Sequence, residues 1–114
     1  QVILNIMNNA MDAFEDKNKD HKFIFIDAYK EKNNVLIKIK DNAGGIEKNI
    51  IDRVFEPYFT TKHKSQGTGI GLYMSLEIIK KHMNGNLTVC NKNYTYKNIE
   101  YSGAEFIIEI PCEK

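Results

Sequence analysis

The sequence predicts a two-layer α/β sandwich, in which helices pack on one face of a mostly antiparallel, mixed β-sheet. Two long segments repeat apolar side chains with the helical period, and four segments have the composition or the alternation of strands. Their order along the chain is helix, two strands, a glycine-rich middle, helix, two strands. At 114 residues, 42% of them hydrophobic, the chain has room for one domain, 1–114, around one core.

The first helix is predicted over residues 1–16. At about 100° per residue, its apolar side chains fall on one side of the helix. They are Val2, Ile3, Ile6, Met7, Ala10, Ala13 and Phe14. The opposite side carries Asn5, Asn9 and Asp12.

The first two strands are predicted over residues 23–29 and 35–41, with a polar reversal between them. In the second strand Val35, Ile37 and Ile39 alternate with polar or exposed positions, so this inward face ends in the carboxylate of Asp41.

The second half of the chain begins with a short helix predicted near 47–54. A long helix follows over about 70–83, and the Asn84-Gly85 turn stops it. The last two strands are predicted near 86–93 and 104–110, joined by a loop rich in Tyr and Asn that ends at Gly103.

Composition excludes several classes of protein. Sixteen basic and fifteen acidic residues leave a net charge of +1, so no strong field attracts nucleic acid or an anionic membrane. No apolar run reaches the ~18–20 residues of a membrane span, and we expect a soluble, cytoplasmic domain. Cys90 and Cys112 have no metal-ligand spacing and are expected to be small buried hydrophobes in a reducing compartment.

Three motifs carry possible chemistry. Asn5 and Asn9, four residues apart, share one helix face with Asp12; they form either a solvated face or an oxygen surface for a hard cation such as Mg²⁺. Asp41 either escapes to solvent at the strand end, or caps the next turn, or accepts a hydrogen bond from a ligand N–H such as an adenine amino group. Gly44 and Gly45 follow it and permit close backbone approach and positive φ.

The third motif is G-T-G-I-G-L at 67–72, which opens the second long helix. Small residues before a helix N-terminus make an anion site, although a plain flexible loop is the alternative. The spacing matches neither the dinucleotide fingerprint nor the P-loop.

The order of these motifs is more specific than any one of them. An Asn-rich helix, then D-N-A-G-G-I, F-E-P-Y-F-T-T-K and G-T-G-I-G-L, resembles the N, G1, F and G2 boxes of sensor histidine kinases. These kinases are one branch of the GHKL ATPases, which have the Bergerat-type ATP-binding fold. The resemblance runs from Gln1 to about Pro111 and implies a domain that binds Mg²⁺ and ATP and donates the γ-phosphate to a histidine.

The resemblance also implies roles for individual residues. Asn9 would be the Mg²⁺ ligand, Asp41 would accept from the adenine amino group, and Asn5 and Lys62 would act near the phosphates. Residues 60–66 would cover the nucleotide, and Phe55 and Phe59 would anchor the hinge of that segment. The full nucleotide-binding set implied is Asn5, Asn9, Asp12, Asp41, Gly45, Ile46, Phe59, Thr60, Gly67, Thr68, Gly69, Ile70, Gly71 and Leu72.

Two positions depart from family patterns. Ala43 stands where a glycine is usual, which a negative φ would tolerate. Hydrolytic GHKL members place a glutamate base four residues before the Mg²⁺-binding asparagine, and here that position is Asn5. An amide cannot take a proton from water at neutral pH, so we expect ATP to be held without efficient hydrolysis.

The phosphoacceptor itself is expected in another domain. His21, His63 and His82 lack the family's H-E-[LIV]-x-x-P setting, and the helical pattern already present at Gln1 suggests a fragment of a longer chain. The implied partners are a dimerisation and histidine phosphotransfer domain and the receiver domain of a response regulator, with the isolated chain a monomer. The alternatives are a GHKL serine kinase, an ATPase module, or a degenerate domain that only binds partners.

Overall fold

The computed structural model describes residues 2–14, 21–59 and 71–112. Its elements are α1 (Val2–Ala13), β1 (Ile24–Glu31), β2 (Asn34–Asp41), α2 (Lys48–Ile51), α3 (Gly71–His82), β3 (Asn86–Tyr96) and β4 (Ile99–Pro111). The four strands form one sheet in the order β1-β2-β4-β3, and each neighbouring pair is antiparallel. The predicted α/β sandwich is confirmed.

Helices α1 and α3 pack on one face of the sheet and close the core with it. The alternation of β2 predicted the buried face, and Ile39 is 1% exposed there. Ile39 pairs with Phe106 of β4, and both lie in one cluster with Ile6 of α1 and Ile79 of α3. The helical and strand periods of the sequence therefore meet at a single core, as predicted.

The connection between the last two strands differs from the prediction. A loop was expected between 93 and 104, but β3 and β4 form one long hairpin. Its two-residue turn is Lys97-Asn98, with φ of 51° and 67°. Positive φ at both central positions suits the twist of a hairpin, and Asn tolerates it better than most residues. The prediction was wrong because this part of the hairpin extends beyond β2 and lacks a buried apolar face.

Aromatic side chains stabilise that extension on the sheet face away from the helices. The ring of Phe25 lies 4.9 Å from that of Tyr96 and 5.9 Å from that of Tyr94. The Lys40 ammonium lies 4.1 Å from the centre of the Tyr94 ring, where a cation is attracted to the ring face. Tyr94 and Tyr96, which fall in the predicted loop, are thus strand residues with partners on β1 and β2.

The cysteine prediction was also partly wrong. Cys90 is exposed, because it lies on the open face of β3, and Cys112 is half-buried. Both are free thiols. Across the described parts of the chain, no helix has the length and apolar character needed to cross a membrane.

Candidate functional site

Asp41 is the last residue of β2 and is 4% exposed. The backbone N–H groups of Ala43 and Ala104 donate to its Oδ1 at 3.0 and 3.1 Å. Burial raises the pKa of Asp41 above its usual value, and these two hydrogen bonds oppose that rise. An almost fully buried acceptor is therefore fixed in place through Oδ1, so a ligand N–H would have to be received by Oδ2.

The β3–β4 hairpin holds the backbone around this carboxylate. Tyr94 Oη donates to the Asp41 carbonyl at 2.7 Å. Burial, and after it the charge of Asp41, raises the pKa of Tyr94 to about 12. The phenol is therefore protonated and remains a donor at neutral pH. A Cβ on Gly103 would lie 1.7 Å from the Asp41 carbonyl oxygen. Only glycine permits this approach of β4 to the end of β2.

The turn after Asp41 is held by a buried amide that the sequence reading missed. Asn42 is 1% exposed. Its Oδ1 accepts from Phe23 N–H at 2.8 Å and its Nδ2 donates to the His21 carbonyl at 3.1 Å. An Asn at the end of an apolar strand was the available signal, because a polar side chain there needs partners.

The glycines behave as predicted. Gly44 and Gly45 have φ of 101° and 90°, and Gly44 N–H donates to the Ser102 carbonyl at 2.9 Å. Ala43 is buried and is not among the described residues with positive φ. The methyl group at this usual glycine position is therefore tolerated, under the condition stated from the sequence.

Ile46, the last residue of this segment, is bound at both backbone groups by Asn91 of β3. Its N–H donates to Asn91 Oδ1 at 2.8 Å, and its carbonyl accepts from Asn91 Nδ2 at 2.7 Å. The Ile46 side chain packs against the core. No local pattern links residues 45 positions apart, so the sequence reading missed Asn91.

Asn5 connects the two long helices. Its Nδ2 donates to Ser75 Oγ at 3.1 Å and lies 3.5 Å from the Gly71 carbonyl. Ser75, 0% exposed, is a second residue that sequence reasoning missed. Asn5 and Gly71, which were predicted separately, are thus brought together where α3 begins, and Leu72 beside them packs against the core.

Asn9 and Asp12 lie further along α1 and are both half-exposed. No group of three His, Cys, Asp or Glu side chains that could hold a metal occurs within residues 2–14, 21–59 and 71–112. A neutral amide oxygen at a helix surface nevertheless fits Mg²⁺, because this ion keeps several waters and takes its other ligands from substrate phosphates. The donor chemistry of Asn9 is therefore suited to a nucleotide-bound ion rather than to a protein cage.

The remaining predicted positions divide into two groups. Phe59 is half-buried, and the Arg53 guanidinium lies 4.5 Å from the centre of its ring. The ring of Phe55 lies 6.2 Å from that of Phe106 in the core. The others fall outside the described residues: Thr60, Lys62, His63, Gly67, Thr68, Gly69 and Ile70.

The buried carboxylate of Asp41, the double-glycine turn after it and the amides of α1 are features that carry the resemblance to the GHKL ATPases. The family described as histidine kinase-, DNA gyrase B- and HSP90-like ATPase matches residues 1–114. The chain belongs to this family.

Its relatives are sensor histidine kinases. The chain is 35% identical, over 97% of its length, to the two-component sensor PprA of Pseudomonas aeruginosa, and 34% identical, over 100% of its length, to sporulation kinase E of Bacillus subtilis. It spans 11% and 14% of the lengths of those two proteins.

Solved structures agree on the fold. The catalytic domain of the histidine kinase ThkA, in a nucleotide-free form, superposes with a TM-score of 0.72 at 29% identity. The match covers 97% of this chain and 64% of that one. The chain therefore has the fold of a histidine kinase ATP-binding domain.

Proposed function

We propose that this chain binds ATP with Mg²⁺ and donates the γ-phosphate to a histidine on a separate dimerisation domain, for onward transfer to a response regulator. The observation that carries the proposal is the buried carboxylate of Asp41, held through Oδ1 by two backbone N–H groups. Membership of the family and similarity to a two-component sensor and a sporulation kinase support it.

The base end of the site selects adenine in this proposal. An ionised Asp41 carboxylate has only acceptor oxygens, and the amino group of adenine is a donor. Guanine has a carbonyl oxygen at the equivalent ring position, which would oppose the carboxylate. A desolvated site discriminates strongly when a mismatch leaves polar groups unpaired.

The other end of the proposed site binds the metal ion and the phosphates. Asn9 would ligate Mg²⁺, which neutralises charge on the phosphates, while Asp12 lies on the same helix. The backbone of Gly67, Gly69 and Gly71 with Thr68, and the ammonium of Lys62, would bind the phosphates. Phosphoryl transfer needs little from the protein beyond such positioning and charge neutralisation.

Hydrolysis is disfavoured in this arrangement because Asn5 stands where the hydrolytic relatives have a glutamate. Its Nδ2 is already bonded to Ser75 of α3, and an amide cannot accept a proton from water. The nucleophile must then come from the acceptor. His21 and His82 are exposed, and neither has the H-E-[LIV]-x-x-P setting of the family's phosphoacceptor.

The test is transfer of label from [γ-³²P]ATP. We expect no label on the chain alone, and an acid-labile, base-stable phosphohistidine on the dimerisation domain of the parent protein when the two are mixed. Replacing the acceptor histidine by alanine is the control. Rapid labelling of the isolated chain, or rapid release of inorganic phosphate without acceptor, would contradict the proposal.

A further inference from the structure

Asn91 makes an unusual pair of contacts for an exposed strand residue. It uses both halves of its amide on one residue, accepting from Ile46 N–H at 2.8 Å and donating to the Ile46 carbonyl at 2.7 Å. An amide that pairs with both backbone groups of one residue fixes that peptide segment as a neighbouring strand would. The segment in question, 43–46, belongs to none of the described helices or strands.

The geometry of Gly45 is matched to Asn91. A Cβ built on Gly45 would lie 2.9 Å from Asn91 Oδ1 and 3.2 Å from its Cγ. The absence of a side chain at Gly45 is therefore what lets Asn91 reach the next residue. Together with the φ of 90°, this close approach explains why position 45 needs a glycine, without any contact with a ligand.

The Asn91 contact completes a set of hydrogen bonds that hold Asp41 and the turn after it against the β3–β4 hairpin. The turn is bonded to the β3–β4 hairpin at its start, where Ala104 N–H and Tyr94 Oη reach Asp41, and in its middle, where Gly44 N–H reaches Ser102. Asn91 supplies the connection at the far end. Without it, the second half of the turn would have to be ordered when a base binds, at a cost in entropy.

We propose that Asn91 is a positioning residue for nucleotide binding, which holds the turn 43–46 in its binding geometry before the base arrives. The inference rests on the proposed function, since it takes this turn as the base end of the ATP site. Asn91 acts through Gly45 and Ile46 and needs no contact of its own with the nucleotide.

The chain offers a matched control in Asn93. It is also an exposed asparagine of β3, two residues further along the same strand face. Its Oδ1 accepts from Ser102 Oγ at 2.8 Å, so its bond joins the two strands of the hairpin. Substituting Asn93 therefore removes a similar side chain and a similar hydrogen bond without touching residues 43–46.

The experiment measures binding of ATP and of inorganic triphosphate, each with Mg²⁺, to the unmodified chain, Asn91→Ala, Asn91→Asp and Asn93→Ala. We expect Asn91→Ala to lower ATP affinity about tenfold, equivalent to ~1.4 kcal/mol. Asn91→Asp keeps the acceptor but loses the donor, and about a fivefold loss is expected. Asn93→Ala should stay within about twofold, and triphosphate affinity should not change in any variant, because it carries no base.

Hydrogen exchange of the Ile46 amide reads the contact without any nucleotide. We expect faster exchange in Asn91→Ala, little change in Asn91→Asp, because it keeps the acceptor of this N–H, and unchanged exchange in Asn93→Ala. If Ile46 exchanges faster while ATP affinity is unchanged, or if ATP and triphosphate affinities fall together, the positioning role is wrong. If the unmodified chain does not bind ATP, the proposed function itself fails, whatever the exchange data show.

Discussion

The two ends of the site are built in different ways. At the base end, Asp41 and the turn 43–46 are fixed by hydrogen bonds from β3 and β4, most of which involve backbone groups. At the phosphate end, Asn9 and Asp12 project from a half-exposed face of α1. There Asn5 makes a side-chain connection from α1 to α3.

In the proposed site, the base end would recognise the nucleotide and the α1 end would position the metal ion and the phosphates. The hydrogen bonds that hold Asp41 and the turn would give the proposed site an acceptor that is preformed before the base arrives. The side-chain connection between α1 and α3 would set the position of Asn9, the proposed metal ligand, relative to the phosphates. We therefore expect substitutions at the base end to change affinity and selectivity for the base, and substitutions on α1 to change the dependence of binding on Mg²⁺.

The largest expected effect is the loss of stability caused by Gly103→Ala at the base end. Its Cβ would lie 1.7 Å from the Asp41 carbonyl oxygen and 2.4 Å from the carbonyl carbon, and both belong to backbone. We expect the free energy of unfolding to fall by at least about 3 kcal/mol, measured by chemical denaturation.

Gly71→Ala is the control for this change. Among the described residues its Cβ would meet only Asn5 Cγ, at 3.9 Å, and alanine suits a helix better than glycine does. Stability should be unchanged or slightly higher. A Gly103→Ala variant that lost less than about 1 kcal/mol would show that β4 does not hold the end of β2 as tightly as we infer.

Asp41→Asn tests base recognition with the shape of the side chain preserved. Its Oδ1 can still accept from Ala43 and Ala104, but an NH₂ group replaces the oxygen offered to the base. We expect ATP affinity to fall about thirtyfold and the preference for ATP over GTP to disappear, because the new donor opposes the adenine amino group. Competitive calorimetry with both nucleotides checks this, and retained adenine preference would contradict the role of Asp41.

Asn9→Ala tests the helix end. We expect about a tenfold loss of ATP affinity in the presence of Mg²⁺ and little change in its absence, since only the ion's ligand is removed. Asn8→Ala is the matched control, because Asn8 is an exposed neighbour on the same helix. Equal losses with and without Mg²⁺ would move Asn9 from metal ligation to a structural role.

The smallest expected effect is the pH dependence of stability that comes from the charge of Asp41 at the base end. Burial raises the pKa of Asp41 in the folded state, so the folded chain binds this proton more tightly than the unfolded chain. Stability should then decrease as pH rises from the ordinary aspartate range, near ~4, through the raised folded pKa. Asp41→Asn lacks this decrease, so its stability relative to the unmodified chain should improve across that window and then level off. A relative stability that worsens with rising pH would contradict the direction of the shift.

The sequence predicted the parts of this molecule that depend on local pattern. The period of residues 2–13, the alternation that ends in Asp41 and the φ of Gly44 and Gly45 are all confirmed. Each follows from a rule that acts within a few residues.

The parts that the sequence did not predict are set by long-range contacts. Asn42, Ser75 and Asn91 each bond to residues 19 or more positions away. Tyr94 stabilises the Asp41 carbonyl from a segment that was read as a loop. Ser75, Asn91 and Tyr94 have no local signature, because an asparagine that fixes a turn and one that faces solvent look alike in one dimension.

The most direct measurement is a calorimetric titration of the unmodified chain with ATP and with GTP, each with and without Mg²⁺, while phosphate release is monitored. We expect adenine-selective binding that Mg²⁺ strengthens, with little hydrolysis during the titration. Equal affinity for the two nucleotides would contradict base recognition by Asp41. Rapid phosphate release would contradict a site that holds ATP for a separate acceptor.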